Sequence, residues 1–284
     1  MAASAPAASD PGPSLSRSHA AGAGSARGLL FTVLGEFVLP TGGFAWTSAF
    51  IDVFARLGVE EKAIRQALAR TAADGWIRPE RLGRRTRWWL TPDGERLLTE
   101  GTERIFAFAS SQPDWDGSWL LVLARVAESD RAARHLLRTR LGWAGLGSPA
   151  PGVWVTTHTE RKDEVELVLE QAGVRDGQIF VAEHRGGGEL VTLATQAWDL
   201  PAIEQRYEEF LAEFSALPEQ DPLTQLIELV HAWRRFPSID PGLPAQLLPK
   251  RWNGTRAARL FAARHGKWSP DAVRQWIRLN KADG

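Results

Sequence analysis

Between Glu60 and Asp74 the apolar positions recur with the period of an α-helix. Gly75 follows directly and is suited to end the helix in a left-handed conformation. The pattern therefore predicts a helix with one packed face and one face free for a partner. The apolar stripe consists of Ile64, Leu68, Thr71 and Ala72, and the opposite face carries Lys62, Arg65, Gln66 and Arg70.

Two further patterns surround this helix. Downstream, Trp76–Leu82 and Arg85–Leu90 are typical of strands joined in a hairpin at Gly83-Arg84. Upstream, Arg27–Val38 and Trp46–Leu57 carry helical apolar patterns, separated by the turn sequence LPTGG. Three helices followed by a hairpin predict a winged helix-turn-helix domain, which we place at residues 27–109 together with a connecting helix from Pro92 to Phe108.

Positive charge is concentrated in this segment. The whole chain has 34 Lys and Arg against 34 Asp and Glu, whereas Lys62 to Arg87 has eight Lys and Arg against two acids. Such a patch predicts binding to nucleic-acid phosphates. We expect Lys62, Arg65, Gln66 and Arg70 to enter the major groove, and Arg84, Arg85 and Arg87 to contact phosphates or the minor groove. A winged helix that binds another protein is the alternative.

The rest of the chain predicts two more domains, so the fold class is α+β and multidomain. Residues 118–185 follow the order β-α-β-β-α-β of a ferredoxin-like domain, and residues 198–284 are helical. The predicted strands are Ser118–Val126, Trp143–Gly147, Gly152–Thr157 and Gln178–His184, with helices at Ser129–Leu141 and Thr159–Ala172. The C-terminal helices are Leu200–Leu217, Pro222–Phe236 and Arg256–Lys281, the last broken near Gly266–Ser269.

The amino terminus and the composition limit the cellular setting. Residues 1–26 are rich in Ala, Ser, Pro and Gly without an apolar central region, which predicts a disordered tail rather than a secretory signal. No apolar run reaches the length of a membrane span. The chain has no Cys, so it forms neither disulfides nor thiolate metal sites. These features favour a cytoplasmic protein with no membrane partner.

No motif predicts catalysis. The six His residues lie at no metal-ligand spacing, and neither a P-loop nor a Gly-x-Ser-x-Gly turn occurs. We therefore expect no enzyme activity, no metal site and no cofactor. The alternative is a metal-dependent nuclease or hydrolase built on the ferredoxin-like domain, with Glu128 and Asp130 near the end of its first strand.

Three segments resemble the PaaX family of transcriptional repressors of phenylacetic acid catabolic operons: LLFTVLGEFVLPTGG, GWAGLGSPAPGVWV (142–155) and RRFPSIDPGLPAQLLPKRWNG (234–254). The resemblance covers about residues 27–279. It implies a homodimeric repressor that binds a palindromic, double-stranded operator and is released by an acyl- or aryl-CoA such as phenylacetyl-CoA. It also implies that the central domain looks like the small ferredoxin-like CRISPR-associated nuclease fold, without nuclease activity.

A CoA effector would need cations for its phosphates and an aromatic cavity for its ring. Four cations, which lie just before the Pro-rich stretch 237–254 or near its end, are candidates for this role: Arg234, Arg235, Lys250 and Arg251. Alternatively, they pair with the acidic middle of the chain or with DNA. Among the 13 Trp residues, we expect Trp233, Trp252, Trp268 and Trp276 to fill a C-terminal core.

Overall fold

The computed structural model describes residues 25–110, 115–216 and 221–281. The predicted tail at 1–26 lies outside these residues except for Ser25, whose side chain caps the first helix, and Ala26, which begins it. The described chain is α+β, with two antiparallel sheets. It forms two compact units, each built from segments that are distant in sequence: 25–103, 221–231 and 264–281 in the first, and 104–110, 115–216 and 232–263 in the second.

Unit 1 begins with three helices whose apolar faces form a shared core. The buried side chains of this core include Phe37, Phe50, Phe54, Ile64 and Leu68, all close to full burial. The helices are α1 (Ala26–Val33), continued by a π-helical turn at Leu34–Val38 and a short 3-10 turn at Leu39–Thr41, α2 (Thr47–Arg56) and α3 (Glu61–Ala73). Gly75, with a φ of 80°, follows α3 as the sequence predicts.

Unit 1 also contains a three-stranded antiparallel sheet, in the order β1-β3-β2. Its strands are β1 (Phe44–Trp46), β2 (Ile77–Leu82) and β3 (Arg85–Leu90). The side-chain amide of Asn280 occupies the outer edge of β1, accepting from the Trp46 amide at 2.9 Å and donating to the Phe44 carbonyl at 3.1 Å. These two bonds satisfy backbone groups that an unpaired sheet edge would leave open.

The C-terminal part of the chain completes unit 1. The long helix α11 (Gly254–Lys281) brings Trp276 between Phe37 and Phe50, with ring centroids 5.7 and 5.8 Å apart. Trp276 is fully buried there, so it belongs to the core of α1 to α3 and not to a separate C-terminal core. Residues 222–231 of α9 (Pro222–Trp233) also belong to unit 1, where His231 lies 3.0 Å from the Thr32 hydroxyl.

Unit 2 contains a four-stranded antiparallel sheet in the order β5-β6-β4-β7. The strands are β4 (Ser118–Leu123), β5 (Gly147–Ala150), β6 (Val153–Thr156) and β7 (Gln178–Glu183). Two helices pack on one face, α5 (Arg131–Trp143) and α6 (Lys162–Gln171), and bury Leu137, Leu141, Val165 and Leu169 against the sheet. This connectivity and strand order fit a ferredoxin-like domain.

Most of the remaining helices of unit 2 surround a cluster of aromatic rings. Trp233 lies at its centre, fully buried, with Phe108, Tyr207, Phe210, Phe236 and Phe261 within 4.8 to 6.5 Å between ring centroids. These helices are the end of α4 (Pro92–Ser110), α8 (Leu200–Ser215), α10 (Phe236–Ile239) and the beginning of α11, whereas α7 (Leu190–Ala197) packs on β5.

Four local predictions were wrong. The strand β1 and helix α7 were not predicted, and β5 lies at Gly147–Ala150 instead of ending at Gly147. Helix α11 has no break near Gly266–Ser269, although it contains Pro270. Trp268, Ala272 and Trp276 recur on one buried face, and this burial outweighs the hydrogen bond that the proline removes.

Candidate nucleic-acid interface and ligand cavity

The outer face of α3 carries the four polar side chains predicted to read DNA. Lys62, Arg65, Gln66 and Arg70 are all exposed, while Ile64, Ala67, Leu68 and Thr71 are buried beneath them. Among the residues that the structure describes, Lys62 and Arg70 form no ion pair, and Arg65 donates from Nε to Glu61 at 2.7 Å. An exposed pair of this kind contributes little stability, so Arg65 can exchange it for another acceptor.

The outer face of the three-stranded sheet holds the hairpin arginine Arg87 in a fixed position. Glu80 accepts from the Arg87 Nε at 2.9 Å and from the Trp89 indole at 2.5 Å. The guanidinium also lies over the rings of Phe44 (5.3 Å), Trp46 (5.8 Å) and Trp89 (4.8 Å). The two donors lower the pKa of Glu80. Arg87 is therefore half-buried and engaged by the sheet, unlike the arginines nearer the hairpin tip.

The other hairpin arginines are exposed. Arg85 lies 5.7 Å from the Trp46 ring and Arg78 lies 5.7 Å from the Trp89 ring. Arg84 sits in the turn after Gly83, whose φ of 62° fits a tight hairpin connection. Within the described chain, Arg84 and Arg85 form no ion pair. The hairpin thus presents free cations at its tip.

Unit 2 contains a cavity of about 1080 Å³. This volume lies at the upper end of the range of small-molecule pockets. Two of the three segments that carry the family resemblance, 142–155 and 234–254, contribute to its walls, although about 80 residues separate them in sequence. Its aromatic lining consists of Phe108, Trp198, Tyr207, Trp233 and Trp252, and its Lys and Arg lining of Arg104, Arg161, Lys250 and Arg259.

Glycines at the cavity wall allow side chains to lie against the backbone. A Cβ on Gly145 would approach the Arg161 guanidinium to 3.4 Å, and one on Gly242 would approach the His158 ring to 3.3 Å. Both glycines have positive φ, 77° and 67°, which disfavours other residues. The close contacts and the positive φ values explain why glycine is required at these two positions of the segments 142–155 and 234–254.

A buried hydrogen-bonded pair forms part of the same wall. The Tyr207 hydroxyl donates to Asp240 at 2.6 Å, and the Gly242 amide donates to the other carboxylate oxygen at 2.7 Å. Burial raises the pKa of Asp240, although the bonds from Tyr207 and Gly242 lower it part of the way. Burial and the neighbouring carboxyl raise the pKa of Tyr207. Asp240 is the only acid in the described lining.

This pair predicts a pH dependence of stability. A carboxyl whose pKa is raised by folding stabilises the fold fully below its ordinary pKa, and this contribution is lost as the pH rises through the folded value. In Asp240→Asn the side chain stays neutral. We therefore expect the free energy of unfolding of the wild type to fall relative to that of Asp240→Asn as the pH rises above the ordinary Asp pKa of about 4. Urea unfolding at several pH values measures this, and parallel pH profiles would contradict it.

The four predicted effector cations are placed differently from one another. Lys250 lines the cavity, whereas Arg234, Arg235 and Arg251 are not among its described lining residues. Burial lowers the pKa of Arg234 to about 10. Arg235 and Arg251 are exposed. Sequence reasoning missed Arg104 and Arg161, which belong to α4 and to the turn before α6 and carry no local motif.

The described residues offer no support for catalysis or membrane insertion. They contain no group of three or more His, Asp or Glu that could hold a metal ion. Asp130, a candidate nuclease acid, accepts from the Ala133 amide at 2.9 Å as the cap of α5. Within the same residues, no helix is both long and apolar enough to cross a bilayer.

Comparison with known proteins identifies the family of the chain. Three family models match in sequence order: "PaaX-like protein" over residues 25–94, "PaaX protein central Cas2-like domain" over 112–194, and "PaaX-like protein C-terminal domain" over 198–278. The chain is 30% identical over 267 residues to the "Transcriptional repressor PaaX" of Escherichia coli (strain K12), covering 88% of this chain and 82% of that protein. This chain belongs to the PaaX family. It is a transcriptional regulator of that family and not an enzyme, which removes the nuclease or hydrolase alternative.

A solved structure shares the fold. The uncharacterized protein Rv0674 from Mycobacterium tuberculosis superposes with a TM-score of 0.60 and 23% identity, covering 90% of this PaaX-family chain and 98% of that one. At this identity the likeness concerns the fold alone. The match to a central Cas2-like domain agrees with the ferredoxin-like sheet of unit 2.

Proposed function

We propose that the chain is a dimeric, cytoplasmic repressor that binds double-stranded operator DNA through a winged helix formed by α1, α2, α3 and the β2–β3 hairpin. The observation that carries the proposal is the exposed polar face of α3, followed in sequence by a hairpin with free cations at its tip. The family of the chain, with a transcriptional repressor among its relatives, supports the same role.

Within this proposal the predicted residues have separate tasks. Lys62, Arg65, Gln66 and Arg70 contact base edges, because they project from the one exposed face of α3. Arg84 and Arg85 contact phosphate or the minor groove. Arg87 contributes charge from a position fixed by Glu80 and three aromatic rings, so it serves the shape of the wing as well as its charge.

The effector part of the proposal is that an acyl- or aryl-CoA, such as phenylacetyl-CoA, lowers the affinity for the operator. The cavity of unit 2 supports it, because five aromatic side chains and four cations meet there. A tenfold loss of operator affinity requires about 1.4 kcal/mol of coupling between the two sites.

The test is a fluorescence-anisotropy titration of the full chain with the promoter region beside its own gene, with and without phenylacetyl-CoA. We expect tight binding that weakens steeply with salt and is relieved by the thioester. Operator binding that the thioester does not change would support the repressor role and exclude phenylacetyl-CoA as the effector. No binding at low salt would overturn the repressor, and binding without a salt dependence would favour the protein-interaction alternative.

Two substitutions separate base reading from phosphate binding. Arg65→Ala is expected to weaken operator binding by about 10- to 100-fold while changing random-DNA binding much less, because a base contact is lost. Arg85→Ala is expected to weaken both alike, because a phosphate contact carries no sequence information. The measurement is a pair of titrations at one salt concentration. Equal losses for Arg65→Ala would remove it from the base-reading role.

A further inference from the structure

The cavity of unit 2 has a strong excess of positive charge. Arg104, Arg161, Lys250 and Arg259 line it against the single acid Asp240. Both carboxylate oxygens of Asp240 already accept hydrogen bonds from Tyr207 and Gly242. Within the described part of the chain, none of the four cations forms an ion pair. The lining therefore lacks the anion that would neutralise it.

Two of these cations lie against the same pair of backbone segments. Arg104 donates from Nη2 to the carbonyls of Trp143 at 3.0 Å and Pro237 at 3.1 Å. The Arg161 guanidinium packs on Gly145, beside the carbonyl of Pro241. The segments 143–145 and 237–241 thus hold the two guanidinium groups near each other. Burial and then the charge of Arg161 lower the pKa of Arg104, an effect that Glu164 offsets in part.

Free donors remain in this pair. Arg104, which reaches solvent, uses one of its terminal nitrogens for the two carbonyls, and its Nη1 and Nε donate no hydrogen bond to a described residue. The side chain of Arg161 is partly buried, yet its guanidinium donates to no described acceptor. The buried indole nitrogen of Trp198, another lining residue, also has no hydrogen-bond partner in the described chain. The Trp198 indole is the one buried donor of this group, and buried donors without acceptors are rare in folded proteins and mark places where a ligand can supply them.

We propose that Arg104 and Arg161 form an oxyanion clamp, in which their guanidinium groups bind the carboxylate or phosphate of an organic ligand whose planar ring packs on the aromatic wall. Guanidinium groups bind both oxyanions through paired hydrogen bonds. Trp198 and Trp252, which are only half-buried, supply the ring surface of the wall. The clamp deepens the effector part of the proposed function, and it replaces Arg234, Arg235 and Arg251 as the anion-binding cations.

Isothermal titration calorimetry on the full chain without DNA tests the clamp. The probes are phenylacetate for the carboxylate and coenzyme A for the phosphate, with phenylacetamide as the uncharged match for phenylacetate. We expect at least one of the two anions to bind, and we expect Arg161→Met to lower the affinity for that anion by tenfold or more. If the clamp holds the carboxylate, phenylacetamide is expected to bind at least tenfold more weakly than phenylacetate. The anion that binds identifies which oxyanion the clamp holds.

Arg161→Met is the decisive variant, because the guanidinium that it removes forms no ion pair and donates no hydrogen bond to a described residue. Without ligand we expect it to keep or slightly raise the Tm, since it relieves the repulsion of Arg104. Arg138→Met, an exposed arginine on α5 outside the cavity, is the matched control and is expected to leave anion binding unchanged. Binding of neither anion at 5 mM, or binding that Arg161→Met leaves unchanged, would overturn the clamp. Operator binding is measured in a separate titration. A failure to bind the operator would contradict the repressor role and would leave the test of the clamp unaffected.

Discussion

Trp233→Ala is expected to lower the free energy of unfolding by about 4 kcal/mol, within the range for large aromatic side chains removed from a core. The indole is fully buried and meets five aromatic rings, of which Phe261 stacks on it at 4.8 Å and 13°. Alanine leaves a void among these rings that rigid neighbours cannot close. Urea unfolding followed by circular dichroism provides the measurement.

Trp233→Phe is the control for this substitution. It keeps a ring at the centre of the cluster and loses the indole hydrogen bond to the Ile105 carbonyl, which is 3.4 Å long. We expect it to cost less than half as much as Trp233→Ala. A loss under about 1 kcal/mol for the alanine variant would show that the aromatic cluster is not the core of unit 2.

The elements that the sequence predicts correctly are those with a strong periodic pattern of their own. Helix α3 lies at Glu61–Ala73 within the predicted Glu60–Asp74, and β2 and β3 agree with the predicted hairpin within one residue. In each case local alternation of apolar and polar residues coincides with the face that is buried. Positions on the outer face of α3 could therefore be assigned from sequence alone.

Elements that depend on distant partners were missed. Strand β1 has three residues, and it is a strand only because β3 pairs with it on one side and Asn280 on the other. The unbroken course of α11 depends on burial of Trp268 and Trp276, which outweighs the Ser-Pro sequence that suggested a break. Neither the pairing of β1 with β3 and Asn280 nor the burial of Trp268 and Trp276 can be read from the local sequence.

The cavity was foreseen only in part, for the same reason. Family resemblance identified the two segments that line it, but the pattern of residues could not tell which way the side chains point. Cations were therefore assigned to the ends of the Pro-rich stretch, where only Lys250 reaches the wall. Arg104 and Arg161 come from elements more than 50 residues apart, and only the folded chain brings them to the same backbone segments.

Gly94→Ala is expected to destabilise unit 1 by about 3 kcal/mol, because small-to-large changes at a closed contact force the backbone to shift. A Cβ on Gly94 would lie 3.0 Å from the Trp76 carbonyl carbon and closer still to its oxygen. That oxygen also accepts from the Thr91 amide at 3.1 Å, so the turn between β3 and α4 is held against the start of β2. The added methyl group cannot move away along a flexible side chain, because its neighbour is backbone.

Gly101→Ala in the same helix provides the matched control. A Cβ on Gly101 meets nothing within 4 Å, so this substitution is expected to raise stability by about 0.5–1 kcal/mol through helix propensity. A loss of stability for Gly94→Ala and a gain for Gly101→Ala, both measured by urea unfolding, would show that the constraint is the contact with the Trp76 carbonyl. Since the hairpin follows Trp76 directly, we also expect Gly94→Ala to weaken operator and random DNA alike. Equal stabilities for the two variants would show that the turn before α4 can shift freely.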